Sequence, residues 1–131
     1  MEKVKSIIRL IHIFVMFSLS GCYSHYSYMH SADVMVKNER ICVFINGGQL
    51  IKNENIARVN VMEYGKPEYL LNDETHLGKV LQADWCLSEF NNYDFSVGRS
   101  YSVTVETKNN IYRARFIVWK YGEKLMVTDR Y

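Results

Sequence analysis

Apolar and polar residues alternate clearly in the last third of the chain. Along residues 100–107 every second side chain suits a buried position, and this period of two predicts a β-strand with one face in the core. Those side chains are Tyr101, Val103, Val105 and Thr107. Asn109-Asn110 follows, and because asparagine tolerates positive φ, the pair predicts a two-residue hairpin turn.

The return strand of this hairpin, residues 111–120, has two different faces. With Lys108 opposite Ile111 and Glu106 opposite Arg113, one face continues the core through Tyr112, Ala114, Phe116 and Val118. The other face combines cations with aliphatic and aromatic side chains: Arg113, Arg115, Ile117 and Trp119. Because Arg and Trp are over-represented among residues that carry binding energy, these four are the candidate partner-binding surface. The alternative is that the terminal strand or a loop covers Ile117 and Trp119, with both arginines solvated beside Glu106.

The rest of the body also has the pattern of short strands separated by turns. The segments with this pattern are residues 40–45, 56–64, 68–71, 79–87 and 125–131. No segment after the N-terminal leader sustains helical periodicity. About seven short strands, frequent turns and one long-range cysteine pair predict an all-β protein, an immunoglobulin-like β-sandwich.

The N-terminus has the order of a secretory signal. Three cations within residues 1–9 precede about ten mostly apolar residues, which are too few to cross a bilayer. Leu19-Ser20-Gly21-Cys22 then resembles the bacterial lipobox, in which the cysteine is lipidated and the leader is cut before it. The alternative is an ordinary secreted protein. Tyr23 stands where an Asp would signal inner-membrane retention in the enterobacterial pattern, so the expected location is the periplasmic face of the outer membrane.

This leader divides the chain into three predicted parts: a lipoprotein signal peptide, residues 1–21; a lipid-anchored tether, residues 22–31; and a β-sandwich domain, residues 32–131. The tether is assigned because its Ser, Tyr and His residues show no apolar periodicity. His25 and His30 could suggest a metal, but a zinc site needs three protein ligands and no third ligand stands nearby, so no metal is expected.

Two cysteines remain once Cys22 carries lipid. Cys42 and Cys86 form an even number in a compartment that oxidises thiols, which favours a structural disulfide. Two buried free thiols or a redox pair are the alternatives, although a redox pair would more usually show Cys-x-x-Cys spacing.

Charge and motifs narrow the function. The chain of 131 residues has 16 basic and 14 acidic residues. Removing residues 1–21, with Lys3, Lys5, Arg9 and Glu2, leaves 13 of each, and a neutral body argues against nucleic-acid binding. No nucleophile elbow, zinc motif or phosphate-binding loop is present. A His near carboxylates in residues 72–76 is a weak candidate for a general base. We therefore expect no enzyme, no cofactor and no small-molecule substrate.

The order of motifs resembles a family of enterobacterial type VI secretion immunity lipoproteins of the periplasm. Besides the lipobox, the resemblance rests on residues 37–43 leading into a Cys42 strand, Cys86-Leu87, residues 93–101 ending in Gly-x-x-Tyr, and a closing strand rich in Tyr, Arg, Phe and Trp. It implies a lipid-anchored binding module that neutralises a toxin by direct binding. The alternative function is a structural or assembly accessory lipoprotein of the cell envelope, with an envelope protein as its partner.

Overall fold

The computed structural model of the chain describes residues 1–8, 27–73, 79–87, 90 and 93–130. Residues 2–8 form a short helix. No helix within the described ranges is long and apolar enough to cross a membrane. The strands of the described part are β1 (Tyr28–Ser31), β2 (Asp33–Lys37), β3 (Arg40–Phe44), β4 (Ile56–Glu63), β5 (Tyr69–Asp73), β6 (Ser100–Thr107), β7 (Asn110–Tyr121) and β8 (Lys124–Asp129).

The strands form two sheets, so the all-β prediction is confirmed. The larger sheet has the order β1-β7-β6-β4-β5, with β8 also pairing β7, and the smaller sheet is the β2-β3 hairpin. β7 is long enough for one edge to pair with two strands in succession: β1 along its first four residues and β8 from Phe116 onward. The strands are therefore divided unequally between the two sheets, unlike the more even division of an immunoglobulin domain.

The folded part begins earlier than the sequence pattern indicates. Residues 28–31, assigned above to the tether, form β1 and pair with β7 in parallel, with Tyr28 opposite Asn110 and Ser31 opposite Arg113. The segment has no apolar alternation because its strand conformation comes from backbone pairing to a distant strand rather than from a buried face. Residues 28–31 are therefore part of the folded domain rather than of the tether.

The β6–β7 hairpin forms where it was predicted, but its register differs by two residues. Val103 lies opposite Ala114 and Glu106 lies opposite Ile111, so the central residues of the turn are Lys108 and Asn109. A shift of two keeps every side chain on its predicted face, since side chains alternate with a period of two. The predicted pairing of Glu106 with Arg113 is therefore wrong, whereas the assignment of faces is confirmed.

The core lies between the two sheets. Ile41 and Val43 of the smaller sheet, together with Ile45 directly after β3, pack with Val59, Val61 and the inward face of the β6–β7 hairpin in one apolar cluster. Cys42 in β3 is joined by a disulfide to Cys86, 44 positions away, with a Cα–Cα distance of 5.1 Å. Beside the bridge, the Leu87 N–H donates to the Val43 carbonyl at 2.9 Å. The disulfide therefore holds the segment around Cys86 and Leu87 against the edge of β3 that is not paired with β2.

The start of β6 contains a hydrogen bond typical of immunoglobulin-like corners. Tyr101 is fully buried, and its hydroxyl accepts a hydrogen bond from the Ser96 N–H at 2.8 Å. Its ring lies 5.0 Å from that of Phe95 and 5.9 Å from that of Phe116. The side chain therefore ties the loop before β6 to the core, as expected of a tyrosine near the start of a late strand.

Candidate protein-binding face

The four residues of the candidate partner-binding surface lie on one face of β7. Burial alternates along the strand: Tyr112, Ala114, Phe116 and Val118 are buried, while Arg113, Arg115, Ile117 and Trp119 are half-buried or exposed. This period places the second set on the outside of the larger sheet, away from β3. We call the outside of the sheet around these four residues the β7 outer face.

Trp119 is held in place while remaining accessible. It pairs across the sheet with Met126 of β8, and its indole Nε1–H donates to the Thr128 hydroxyl at 3.0 Å. The side chain is still 37% exposed. β8 lies beside β7 in the same sheet and does not cover its face, so the terminal strand leaves Trp119 accessible.

The arginines of the β7 outer face have other partners than predicted. The carboxylate of Glu106 lies 4.0 Å from Arg58 and accepts a hydrogen bond from the Asn60 side chain at 3.3 Å. Arg113 instead donates from Nε to the Thr104 hydroxyl at 3.4 Å. Among the side chains that the structure describes, Arg113 and Arg115 form no ion pair. Neither guanidinium is therefore neutralised by a direct ion pair within the described part of the structure.

A third arginine extends the face across β8. The Arg130 N–H donates to the Arg115 carbonyl at 2.7 Å, and its guanidinium lies 5.5 Å from the centre of the Tyr64 ring. This distance is typical of a cation–π contact. The sequence patterns did not indicate Arg130 or Tyr64, because only the paired strands bring the chain end beside the β4 terminus.

A cavity of 360 Å³ lies where β1 and β8 meet end to end along the edge of β7. Its lining includes Arg113, Arg115 and Arg130 together with Asp33 and Asp129. Burial raises the pKa of Asp129, and the nearby negative charge of Asp33 raises it further. The cavity is thus a polar depression at the rim of the β7 outer face.

Among the other candidate residues, His30 also lines the cavity at the rim of this face. His30 lies in β1, where its Nε2 is 2.8 Å from Oδ1 of Asn110 and its ring is 5.2 Å from that of Tyr112. No group of three or more potential metal ligands occurs within the described ranges. Cys22, His25 and most of the 72–76 segment lie outside those ranges, as does the predicted cleavage site.

The fold and this face define the class: a small all-β protein whose larger sheet exposes a cationic and aromatic surface. The chain belongs to the family described as Domain of unknown function (DUF7480), which matches residues 29–121. The match begins within β1 and ends at the last residue of β7. No curated protein and no solved structure matches the chain.

Proposed function

We propose that the chain is a periplasmic binding module, anchored by lipid on Cys22 to the outer membrane, that captures a protein partner on the β7 outer face without catalysis. Its role in this proposal is that of an immunity protein, which neutralises a type VI secretion toxin by direct binding. The resemblance of the motifs to immunity lipoproteins supports the kind of partner. The geometry of β7 supports the choice of the β7 outer face as the binding surface.

One observation carries the choice of surface. Arg113, Arg115, Ile117 and Trp119 share one accessible face, and a rigid sheet fixes their spacing. Such a face provides an aromatic anchor and planar hydrogen-bond donors, the residue types that dominate binding energy at protein interfaces. Because the neighbouring carboxylate of Glu106 is engaged by Arg58 and Asn60, the face suits a partner with an acidic surface.

The test is capture of the native partner by the full-length tagged lipoprotein from an envelope extract, followed by identification of what is captured. Arg115→Glu combined with Trp119→Ala should weaken capture by at least about tenfold, since each change removes or reverses a central contact. The control combines Lys37→Glu with Trp85→Ala, which repeats both chemical changes at exposed positions away from the β7 outer face. The control should capture the partner at the wild-type level.

The identity of the captured protein separates the two functions. A secreted toxin, together with loss of protection from that toxin in the Arg115→Glu, Trp119→Ala variant, supports immunity. Capture of an envelope-assembly protein supports the accessory role instead. Undiminished capture by a variant with an intact circular dichroism spectrum would exclude the β7 outer face as the binding site.

A further inference from the structure

One end of the domain gathers exposed apolar side chains and lysines. We call it the basal end, and its exposed members are Tyr28, Met29, Ile51, Lys52, Lys79, Val80 and Lys108. The four apolar side chains among them are exposed by 70% (Tyr28), 56% (Met29), 60% (Ile51) and 48% (Val80). The seven members come from four separate stretches of the chain: residues 28–29, 51–52, 79–80 and Lys108.

Hydrogen bonds bring these stretches to the same end. The Tyr28 N–H donates to the Asn109 carbonyl at 3.3 Å, which places the start of β1 beside the β6–β7 turn that carries Lys108. The Asn109 side chain donates to Oε1 of Glu54 at 2.9 Å, and Lys52 Nζ lies 3.8 Å from the same oxygen.

The remaining stretch, residues 79–80, is held at this end by hydrogen bonds to the segment around Glu54. The Leu81 N–H donates to the Glu54 carbonyl at 2.8 Å, and Asn55 forms a β-bridge with Val80. The basal end is therefore a single surface built around Glu54, although its members are far apart in sequence.

The covalent chain places the basal end close to the lipid anchor. β1 begins at Tyr28 and runs parallel to β7 away from the basal end, so Ser27, the described residue before it, lies at the basal end. Tyr28 is only six positions after Cys22, and a fully extended chain of that length spans at most about 20 Å. With lipid on Cys22, the basal end cannot lie farther from the bilayer than this short segment allows.

The charge of the basal end also fits a bilayer. Its exposed charged side chains, among those the structure describes, are lysines, whereas Glu54 is buried and accepts hydrogen bonds from neighbouring side chains. The opposite end, with the β2–β3, β4–β5 and β7–β8 turns, also exposes aromatic residues, Tyr64, Tyr69 and Tyr121, but its charges are mixed: Glu39 and Glu123 accompany Lys120 and Lys124. Lysines interleaved with exposed Tyr, Met and aliphatic side chains favour an anionic lipid surface.

We propose that the basal end docks on the anionic phospholipid surface to which Cys22 is anchored, so that the domain stands with β7 pointing away from the membrane. This inference rests on the lipid anchor of the proposed function. In this orientation the β7 outer face forms a side of the molecule and stays open to a partner in the periplasm.

The test measures which end of the lipidated full-length protein lies at the bilayer. Asn53→Cys at the basal end or Glu123→Cys at the opposite end introduces one thiol for an environment-sensitive fluorophore, because Cys42 and Cys86 are bridged. The labelled proteins are reconstituted in vesicles of phosphatidylcholine and phosphatidylglycerol that contain nitroxide-labelled lipid. We expect the probe at position 53 to be blue-shifted and quenched, and the probe at position 123 to be unaffected. Equal quenching at both positions, or stronger quenching at position 123, overturns the proposal.

A second arm tests the lysines. Lys52→Gln with Lys108→Gln should reduce quenching at position 53, as should vesicles of phosphatidylcholine alone, whereas Lys120→Gln with Lys124→Gln should not. If the two double variants, the wild type on phosphatidylcholine vesicles and the wild type on mixed vesicles all show the same quenching, the role of the lysines is overturned.

Flotation with the vesicles reports the anchor separately. A chain that fails to float refutes the anchor and the orientation together, while a floating chain with an unquenched basal probe refutes only the orientation. Partner capture is measured independently of both.

Discussion

Asn110 donates a hydrogen bond from its side-chain amide to Oε2 of Glu54 at 2.8 Å, across 56 positions of the chain. Glu54 also accepts from the Thr107 hydroxyl and from the Asn109 side chain, so one buried carboxylate binds three residues at and beside the β6–β7 turn. These bonds lower the pKa of Glu54 from 4.5 to about 2, with the bonds from Thr107 and Asn110 as the main causes.

The first prediction concerns stability against pH. Because the pKa of Glu54 is lower in the folded state, its contribution is complete above about pH 4.5 and is lost as the pH falls toward 2. That contribution is about 2 to 3 kcal/mol. Urea unfolding followed by tryptophan fluorescence between pH 7 and pH 3 should show it as a fall in the free energy of unfolding.

Glu54→Gln isolates this carboxylate. We expect it to lower the free energy of unfolding at pH 7 by about 2 kcal/mol, because an amide cannot accept from all three donors with the strength of a charged group. The gap between variant and wild type should narrow below pH 4.5. Glu68→Gln, at an exposed position, should match the wild type at pH 7. A gap that stays constant down to pH 3 would show that Glu54 does not control the acid sensitivity.

The second prediction concerns the disulfide between Cys42 and Cys86. Closing a loop of 44 residues constrains the unfolded chain, so Cys42→Ser should lower the free energy of unfolding by about 4 kcal/mol. Chemical denaturation measures the loss, and reduction of the wild type should reproduce it. Alkylation of two thiols in denatured, unreduced protein from the periplasm would contradict the bridge.

The third prediction concerns the hydroxyl of Tyr101. Tyr101→Phe keeps the ring contacts with Phe95 and Phe116 but leaves the Ser96 N–H without its acceptor. We expect a loss of about 1 kcal/mol in the free energy of unfolding. Tyr121→Phe removes the same atom from an exposed side chain and should cost nothing measurable. Equal midpoints for Tyr101→Phe and the wild type would argue that the hydrogen bond contributes little.

The fourth prediction concerns Cys22, which lies outside the described residues. Cells fed an alkynyl fatty acid should label the wild-type protein, and Cys22→Ser should abolish the label and release the protein from the membrane fraction. Ser20→Thr serves as a conservative control that leaves the thiol in place. Equal label in wild type and Cys22→Ser would rule out lipidation at this position.

The sequence alone was sufficient where the relevant interactions are local or periodic. Alternation with a period of two assigned Tyr112 and Phe116 to the core and Arg115 and Trp119 to the outside, because a strand forces successive side chains to opposite faces. That assignment survived a register error of two residues for the same reason. The count of cysteines favoured a bridge between Cys42 and Cys86 over free thiols or a redox pair, and the structure contains that disulfide.

Tertiary structure decided everything that depends on a distant partner. The turn falls at Lys108 and Asn109 because Glu54, far away in sequence, binds the side chains of Asn109 and Asn110. The β2–β3 turn has positive φ at Asn38 and Glu39, a conformation that Glu39 gives no local reason to expect. β1 exists because β7 offers it a free edge, and backbone pairing of this kind leaves no trace in the pattern of apolar residues. The same pairing places the start of β1 beside the β6–β7 turn, at the basal end.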